Sequence, residues 1–585
     1  METKSTIHHI LDENIIPDNP SASDYFTAIK RLVSRRKESG DSPEQLLWQE
    51  AIDHVYDLLR EEIITNKGLP ASTVKFGTSG WRGLLGKDIN VHSIACVTAA
   101  ILSLYRDMDR SPELRDALGV SSFEEMQNRG CVIGFDNRFG GDLLALCAMN
   151  VMAANNIRIY YAGEATTGTL SASVLELQAA FSINLTPSHN PLEYGGYKYN
   201  AADAGPAAQI LTDRITREAN LILTEGSSEF LPDGTDLHRP LENIPGLVRE
   251  NALMSWQNLV RKNEPQHKLD YDSIITDFAT NPDVVIAIDC VHGASRINIY
   301  DFFKNLETDR LIILRGGKDV TFGGIAPEPS SANMEAVVTT LRDREEKLKL
   351  GAIIDPDGDR IRFTDGTTEI NMNQFGAMAY HFLHEIKEKK GMVAKTVASS
   401  NLANAVAKGL HEEVFEPKVG FKEFKPVIGK ALVYFEESDG ISIIGHTPEK
   451  DAYIGLLLAM DMVQTLQKNL GEYLDIIESL FGTYFPDRDG VVVSQQGDEL
   501  KKTLALLEKY TPGETVKVGD QKKIIKEVIV IDGRKMIFKD NSWIMIRPSG
   551  TEPKVRFYVE GRNQTETAFL VKTAKSMLAE IGLLA

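Results

Sequence analysis

The chain has 585 residues, of which 42% are hydrophobic and 25% charged, and a formal net charge of −19. At roughly 100–200 residues per domain this length predicts several domains, and the composition is that of an ordinary soluble globular protein. The negative charge argues against nucleic acid or an anionic membrane surface as a partner, so an anionic ligand requires locally concentrated Lys and Arg.

Residues 1–72 are predicted to form a helical extension. Apolar residues recur at three- and four-residue spacing from Leu47 through Ile52 and Val55 to Leu59, which is typical of an amphipathic helix. No residue pattern in this segment indicates chemistry. We expect it to pack on the first domain.

Strands and helices then alternate through three consecutive units, which we place at residues 73–225, 226–368 and 369–472. This alternation predicts α/β domains with mixed, mainly parallel sheets covered by helices on both faces. Residues 473–585 differ, because several strands come first and one terminal helix follows. They predict a smaller α+β domain.

The cysteines and the N-terminus favour a reducing compartment. The cysteines are scattered without a Cys-x-x-Cys pair, so we interpret them as core residues rather than metal ligands or disulfides. They are Cys96, Cys131, Cys147 and Cys290. We see no signal peptide at the N-terminus and no stretch as long as a membrane span. We expect a cytoplasmic protein.

A proline-bracketed turn around Ser188 is the first candidate site. Pro187 and Pro191 flank Ser188, His189 and Asn190, so the backbone must be extended or turning there. A hydroxyl on such a turn, at the end of a strand, is well placed to meet a ligand. The alternative is structural, with the serine and asparagine capping the turn by local hydrogen bonds. The turn alone leaves both interpretations open.

A run of alternating carboxylates is the second candidate site. Asp355, Asp357 and Asp359 would repel one another unless a cation neutralised them. Oxygen ligands suit Mg2+ or Ca2+ rather than Zn2+. An EF-hand is excluded because Arg360 stands where it needs glycine and Gly366 where it needs glutamate. A solvated acidic turn remains the alternative. Mg2+ held by few carboxylates usually completes its shell with water and phosphate, which points back to Ser188.

Two further polar loops follow apolar strands, and a separate segment offers a lysine. The segment 547–551 supplies a guanidinium, hydroxyls and a flexible backbone for a phosphate, although a plain hairpin explains it too. Glu436 and Ser438 suit sugar hydroxyls, or form an exposed acidic turn. Lys422 follows a glycine-containing segment and is either a ligand or a solvated lysine. Ligands of open α/β sheets gather at the carboxyl ends of strands, so these loops converge if the domains share one cleft.

In order and spacing, these motifs resemble the α-D-phosphohexomutase family, which includes phosphoglucomutases and phosphomannomutases. The resemblance runs from about residue 74 to the C-terminus. The motifs that carry it are residues 77–83, 186–191, 195–200, 355–360, 436–438 and 547–551. It implies a four-domain enzyme around a central cleft that moves phosphate between the 1- and 6-hydroxyls of a hexose.

The resemblance also implies roles for individual residues. Ser188 would carry the phosphate and, together with Asp355, Asp357 and Asp359, would hold Mg2+. Proton transfer and charge stabilisation would fall to His189, Lys198 and Arg82. Substrate binding would fall to Arg360, Lys422, Glu436 and Ser438, and to the phosphate loop Arg547, Ser549, Gly550 and Thr551.

Substrate preference is where the sequence departs from the family pattern. Phe435 stands where a glycine usually precedes the sugar-loop glutamate, and Asp439 follows Ser438 where some mutases carry Gly-His. The Glu-x-Ser form and the segment 195–200 look closer to phosphoglucomutases than to phosphoglucosamine mutases. We therefore expect a glucose-preferring mutase.

The expected reaction is an intramolecular phosphotransfer. It would use Mg2+, with a hexose 1,6-bisphosphate as activator and intermediate. The expected partners are small-molecule sugar phosphates, with no nucleic acid or membrane, and the protein would be a monomer or homodimer. The alternatives are a phosphomannomutase or dual-specificity mutase, a hexose-bisphosphate synthase, and a non-catalytic sugar-phosphate-binding relative.

Overall fold

Three α/β units and a C-terminal α+β unit follow one another along the chain, which confirms the predicted fold class. The computed structural model describes residues 2–40, 43–77, 79–108, 111–549 and 554–584. Within these ranges, no helix combines the length and the apolar character needed to cross a membrane. The predicted core cysteines are all buried.

The N-terminal helices share their apolar core with the first unit. They are α1 (Glu2–Asn14), α2 (Tyr25–Glu38) and α3 (Glu44–Thr65). Asp24 begins α2 by accepting a hydrogen bond from the Thr27 amide. Side chains such as Leu32 and Leu59 are buried in the same cluster as the strands and helices that follow.

The first unit is built on a mixed sheet in the order β1-β5-β4-β2-β3-β6. Strands β4, β2, β3 and β6 run parallel, β5 pairs antiparallel with β4, and β1 pairs antiparallel with β5 and so runs in the same direction as the first four. Its elements are β1 (Trp81–Leu84), α4 (Val91–Arg106), α5 (Pro112–Leu118), α6 (Phe123–Arg129), β2 (Cys131–Phe135), α7 (Gly141–Ala154), β3 (Ile159–Glu164), α8 (Thr167–Leu177), β4 (Phe181–Leu185), β5 (Tyr194–Asn200), α9 (Gln209–Glu225) and β6 (Leu247–Arg249). Strand β6 comes from residues that we assigned to the second unit.

The second unit repeats the design with the sheet order β11-β10-β9-β7-β8. Strands β9, β7 and β8 are parallel, β10 pairs antiparallel with β9, and β11 pairs antiparallel with β10. Its elements are α10 (Ala252–His267), α11 (Tyr271–Thr280), β7 (Val284–Asp289), α12 (Ser295–Phe302), β8 (Leu311–Leu314), α13 (Ser331–Arg342), β9 (Leu348–Ile354), β10 (Ile361–Thr364) and β11 (Glu369–Ile370).

The third unit has the order β13-β12-β14-β15, with only β15 antiparallel among the described strands. Helix α14 continues directly into a π-helical turn, Phe382–Ile386. The elements are α14 (Met372–His381), β12 (Val393–Lys395), α15 (Leu402–Gly409), β13 (Val414–Phe415), β14 (Val433–Glu436), β15 (Gly440–Ile443), α16 (Ala452–Leu466) and α17 (Leu470–Phe481).

The last unit has an antiparallel sheet in the order β16-β21-β20-β19-β18-β17. Helix α19 packs on this sheet and closes its core. The elements are β16 (Phe485–Val492), α18 (Gly497–Ala505), β17 (Thr515–Val518), β18 (Gln521–Ile529), β19 (Arg534–Phe538), β20 (Trp543–Pro548), β21 (Lys554–Gly561) and α19 (Gln564–Glu580).

Each polar loop singled out in the sequence joins two antiparallel strands. The loops lie between β4 and β5, β9 and β10, β14 and β15, and β20 and β21. In the first loop the return strand passes directly beneath the turn, since a Cβ added to Gly196 would lie 2.3 Å from the Thr186 carbonyl oxygen. Glycine is unfavourable inside a strand, so the sequence of β5 does not look like a typical strand. Here glycine is needed because the backbone of β5 passes so close to the backbone of the turn.

Candidate functional site

Ser188 lies in the β4–β5 loop with a left-handed backbone (φ +57), which is strained for a residue other than glycine. Its amide donates to Thr186 Oγ1 (2.9 Å), so Thr186 stabilises the turn. The buried Ser188 hydroxyl instead donates to Asp355 Oδ2 in the second unit, at 2.8 Å. The serine hydroxyl therefore points at the metal-loop candidate and does not cap its own turn.

Arg138, which sequence reasoning missed, holds this loop from behind. Its guanidinium donates to the carbonyl oxygens of Ser188 (2.8 Å) and Pro191 (2.8 Å), and also to that of Asn190. Asp136 accepts from Thr186 Oγ1 (2.7 Å) and from the Arg138 amide (3.0 Å). Both residues follow the carboxyl end of β2, a position that could have drawn attention to them.

The three aspartates of the β9–β10 loop form one buried cluster. Oxygens of Asp355, Asp357 and Asp359 all lie within 4.8 Å of one another. Asp355 Oδ1 accepts from the amides of Asp359 and Arg360, both at 3.0 Å. Burial, reinforced by the other two carboxylates, raises the pKa of Asp355 well above its usual value.

The cluster has the properties of a cation site. Among the described residues, Asp357 Oδ1 and Asp359 Oδ1 are buried without a hydrogen-bond partner. All the atoms that these side chains could offer to a metal are oxygens, which suits a hard cation such as Mg2+. Buried carboxylate oxygens left without donors are costly unless a positive charge lies beside them.

Two lysines supply positive charge to the cluster. Lys198 Nζ lies 2.5 Å from Asp357 Oδ2 and 2.7 Å from Asp359 Oδ2, and Lys450 Nζ lies 3.3 Å from Asp359 Oδ2. Burial disfavours the charged form of Lys198, but the two carboxylates outweigh it and raise the pKa of this lysine. Lys450 was not predicted, because it lies in the loop before α16, far along the chain from the aspartates.

His189, Arg82 and Arg360 line the cleft beside the cluster. His189 Nδ1 is 3.4 Å from Ser188 Oγ, and Arg360 Nε is 3.6 Å from Asp359 Oδ1. Burial, together with the charges of Arg360 and Arg82, keeps the pKa of His189 well below its usual value. The imidazole is therefore neutral near pH 7.

The four loops converge on one cavity of about 540 Å³. Predicted site residues that line it are Arg82, His189, Arg360, Glu436, Ser438, Arg547 and Ser549. Charged lining residues that were not predicted are Glu328, Glu437, Lys450, Arg488, Asp489, Lys554 and Arg556. The lining is rich in Lys and Arg, as an anionic ligand requires in a protein with a net negative charge.

The sugar-loop candidate is fixed by hydrogen bonds. Glu436 Oε1 accepts from the Gly420 amide, and Glu437 Oε2 accepts from Thr396 Oγ1, both at 2.9 Å. Phe435, the departure from the family pattern, is fully buried, and Gly376 leaves room for its ring. Having Phe435 in place of a glycine therefore affects the packing beneath the loop. The residues of this loop that line the cleft are Glu436, Glu437 and Ser438.

The phosphate-loop candidate reaches the cleft from the last unit. Arg547 Nε pairs with Asp532 Oδ2 at 2.9 Å, and the same oxygen accepts from the Val419 amide at 3.0 Å. Gly550 and Thr551 lie outside the described residues. Lys422 is not brought to the cleft, because its ammonium donates to Gln209 Oε1 at 2.6 Å.

Four domains of one family match this chain in order. Phosphoglucomutase/phosphomannomutase alpha/beta/alpha domains I, II and III match residues 73–224, 268–368 and 371–493, and the C-terminal domain matches residues 499–573. The chain belongs to the phosphoglucomutase/phosphomannomutase family. It is therefore a phosphohexomutase-family enzyme, and residues 1–72 precede the matched region.

Relatives of this family member are distant and differ in their named substrates. A phosphoglucomutase of Staphylococcus epidermidis is 25% identical over 83% of this chain and 90% of its own length. A phosphoglucosamine/phosphogalactosamine mutase of Sulfurisphaera tokodaii is 23% identical over 86% of this chain and 98% of its own length. The open form of the Paramecium phosphoglucomutase parafusin shares the fold, with a TM-score of 0.63 and 20% identity over 88% of this chain and 96% of that one.

Proposed function

We propose that this chain interconverts hexose 1-phosphate and hexose 6-phosphate, with glucose as the preferred sugar, through a phosphoserine at Ser188 and a hexose 1,6-bisphosphate. The observation that carries the proposal is the 2.8 Å hydrogen bond from Ser188 Oγ to Asp355 Oδ2. It sets a hydroxyl against a buried carboxylate cluster beside a cleft lined by cations. Phosphoryl transfer needs positioning and charge neutralisation of this kind.

We propose Mg2+ as the cation held by Asp355, Asp357 and Asp359 together with a phosphate on Ser188. Two observations support this choice: Asp357 Oδ1 and Asp359 Oδ1 accept no hydrogen bond within the described residues, and the cluster offers only oxygen ligands. When bound, Mg2+ would neutralise charge on the transferring phosphoryl group.

His189 is the residue that we propose accepts the proton of the attacking sugar hydroxyl. Its lowered pKa keeps the buried imidazole neutral. This matters because a general base must be unprotonated before the reaction. Lys198 is protonated beside Asp357 and Asp359, so it would neutralise charge rather than take a proton. Arg82 would stabilise negative charge on the transferring group from the cleft wall.

The opposite side of the cleft would bind the rest of the substrate. Glu436 and Ser438 would hydrogen-bond the sugar hydroxyls, and Arg547 and Ser549 would hold the phosphate that is not reacting. The bisphosphate would then turn around and return its other phosphate to Ser188. Both phosphates of the intermediate are dianions, so the same cations can bind either one.

The test is a coupled assay on the 1-phosphates of glucose, mannose and glucosamine, with and without Mg2+ and the matching bisphosphate. We expect Mg2+-dependent turnover that is fastest with glucose 1-phosphate. Ser188→Ala should abolish turnover and remove one phosphate from the intact mass, whereas Ser121→Ala, at an exposed serine of the same unit, should do neither. Absence of turnover on every hexose 1-phosphate would refute the proposal.

A phosphoglucosamine mutase is the second candidate. A relative named for amino sugars matches this chain at 23% identity, close to the 25% of the relative named for glucose. Glu436 and Glu437 also offer carboxylates to an ammonium group. A higher kcat/KM on glucosamine 1-phosphate than on glucose 1-phosphate would favour this candidate, and a higher value on mannose 1-phosphate would favour a phosphomannomutase.

A further inference from the structure

The N-terminal helices contact the back of the reaction centre, although they precede the region matched by the family. The centre itself is divided between two units, since Ser188 lies in the first and Asp355 in the second. Whatever fixes these units relative to each other also fixes the distance between the two side chains. Helix α2 contacts both units, and helix α3 contacts the first.

Helix α3 packs against the residue that follows Arg138. The rings of Tyr56 and Phe139 lie 4.5 Å apart between centroids, at an angle of 32°. Tyr56 is buried, and its hydroxyl has no hydrogen-bond partner among the described residues. The ring therefore makes the contact, and the hydroxyl does not.

Helix α2 is bound to a loop of the second unit. Arg36 Nη2 lies 3.6 Å from Asp319 Oδ2 and 3.4 Å from Thr321 Oγ1. One residue on, Lys37 Nζ donates to the Gly324 carbonyl oxygen at 3.4 Å. These contacts tie the extension to residues 319–324.

The same loop touches the residues that hold the Ser188 turn. The Asp319 carbonyl oxygen accepts from Asn137 Nδ2 at 2.8 Å. The Phe322 ring lies 5.0 Å from the guanidinium of Arg138. Arg138 in turn donates to the carbonyl oxygens around Ser188. A continuous path of contacts therefore runs from α2 through the second unit to the phosphoserine candidate.

A separate contact reaches the far side of the same hairpin. Lys30 Nζ, also on α2, lies 2.7 Å from Glu193 Oε2, immediately before β5. This pair is partly exposed, so it contributes little by itself. It adds a point of attachment that does not pass through Arg138.

We propose that α2 and α3 form a brace that holds Ser188 against Asp355 across the boundary between the first and second units, with Tyr56 and Arg36 as positioning residues. The kinetic part of this inference rests on the proposed function. Phosphoryl transfer is sensitive to small displacements of the reacting groups, so loss of the brace lowers the rate of the chemical step. Neither residue lines the cleft, so substrate binding is retained.

The test compares Tyr56→Ala and Arg36→Met with matched controls in the full chain. Tyr56→Phe keeps the ring contact. Arg31→Met removes an arginine on the same helix whose partner is Glu13, within the extension. The first readout is amide hydrogen exchange of residues 185–194, which needs no turnover. The second readout is steady-state kinetics, in which kcat and KM are determined separately for each variant at a temperature below the melting temperature of all of them.

We expect faster exchange of residues 185–194 in Tyr56→Ala and Arg36→Met, with kcat lowered roughly 10- to 100-fold and KM nearly unchanged. Tyr56→Phe and Arg31→Met should match the parent protein in both readouts. Parent-like exchange in Arg36→Met and Tyr56→Ala overturns the brace, and so does a loss of kcat in Arg31→Met equal to theirs. If the parent protein itself turns over no hexose phosphate, the proposed function fails while the exchange data still decide the brace.

Discussion

Lys198 and Asp359 form a buried ion pair between the first and second units, with 2.7 Å between Nζ and Oδ2. Lys450 and Arg360 add to the attraction, and although burial opposes them, together they hold the pKa of Asp359 well below its usual value. The lysine thus compensates part of the charge that the aspartates gather in one place. It also joins β5 of the first unit to the aspartate loop of the second.

Replacing this lysine should make stability dependent on Mg2+. Lys198→Met removes the ammonium that Asp357 and Asp359 share and leaves only Lys450 and Arg360 beside Asp359; removing one partner of a buried ion pair typically costs about 3–5 kcal/mol. Denaturant unfolding should show a lower free energy of unfolding for the variant and a larger gain on adding Mg2+ than for the parent protein. Lys262→Met, which removes an exposed pair with Glu176, should change the free energy by about 1 kcal/mol or less. An equal Mg2+ effect on parent and Lys198→Met would contradict this expectation.

The pH dependence of kcat/KM should reflect the environment of His189. An ordinary imidazole loses its proton near pH 6.5, as a rough reference. Burial and the charges of Arg360 and Arg82 lower the pKa of His189, so the imidazole stays neutral at pH values where an ordinary histidine is already protonated. The acid limb of the kcat/KM profile should therefore lie at a lower pH than the ordinary histidine value. Arg82→Gln removes one of the positive charges, so it should lower the overall rate and move the limb to higher pH. A parent limb at or above the ordinary value would argue against His189 as the base.

A glycine next to the metal loop should be intolerant of a methyl group. A Cβ added to Gly293, just after β7, would lie 2.6 Å from Pro356 Cα, so the backbone of the aspartate loop would have to move. Gly293→Ala should weaken Mg2+ activation and lower kcat/KM by roughly 10- to 100-fold. The control is Gly317→Ala, because a Cβ there meets nothing within 4 Å. Steady-state kinetics over a Mg2+ titration measure both, and equal behaviour of the two variants would dismiss the steric argument.

Lys535 should make the junction of the last two units sensitive to pH. Its Nζ donates to the Val397 carbonyl oxygen at 2.8 Å and lies 4.1 Å from the centre of the Trp543 ring. Burial and the charge of Lys395 lower its pKa to about 7, so between about pH 7 and 10 the unfolded chain binds more protons here than the folded one. Stability therefore rises with pH across that window.

The comparison with Lys535→Met isolates this contribution, because all other lysines are common to both proteins. From pH 7 to pH 10 the parent protein should gain roughly 1–4 kcal/mol relative to the variant in urea unfolding. A difference between the two proteins that does not change with pH would show that Lys535 keeps an ordinary pKa in the fold.

Local patterns predicted the parts of the site that depend on neighbouring residues. The prolines around Ser188 and the alternating aspartates after β9 each indicate a loop from a pattern only a few residues long. Arg138 and Lys450 escaped detection because their partners, the Ser188 loop and Asp359, are distant in sequence and meet them only through packing. The return strand β5 was not predicted for a different reason, since its glycines weaken the strand pattern and are needed only for the close approach to the Ser188 turn.

Lys422 is the opposite case, a residue that the sequence assigned to the site and that does not line the cleft. The residue type suits a phosphate ligand, but Gly420 has a φ of +127 and turns the chain before the short helix that follows. Phe421 then lines the cleft while Lys422 donates to Gln209. The direction of a side chain after such a turn depends on backbone angles, and residue type alone does not determine it.

The contrast between the cleft and the rest of the surface has a consequence for how ligands arrive. The protein carries 19 excess negative charges, yet Arg82, Arg360, Arg488 and Arg547 lie along one concavity. Most of the surface repels a sugar phosphate, so diffusing anions are steered toward the mouth of this concavity. Added salt shortens the range of that steering, and association should slow as ionic strength rises even where every contact inside the cleft is preserved.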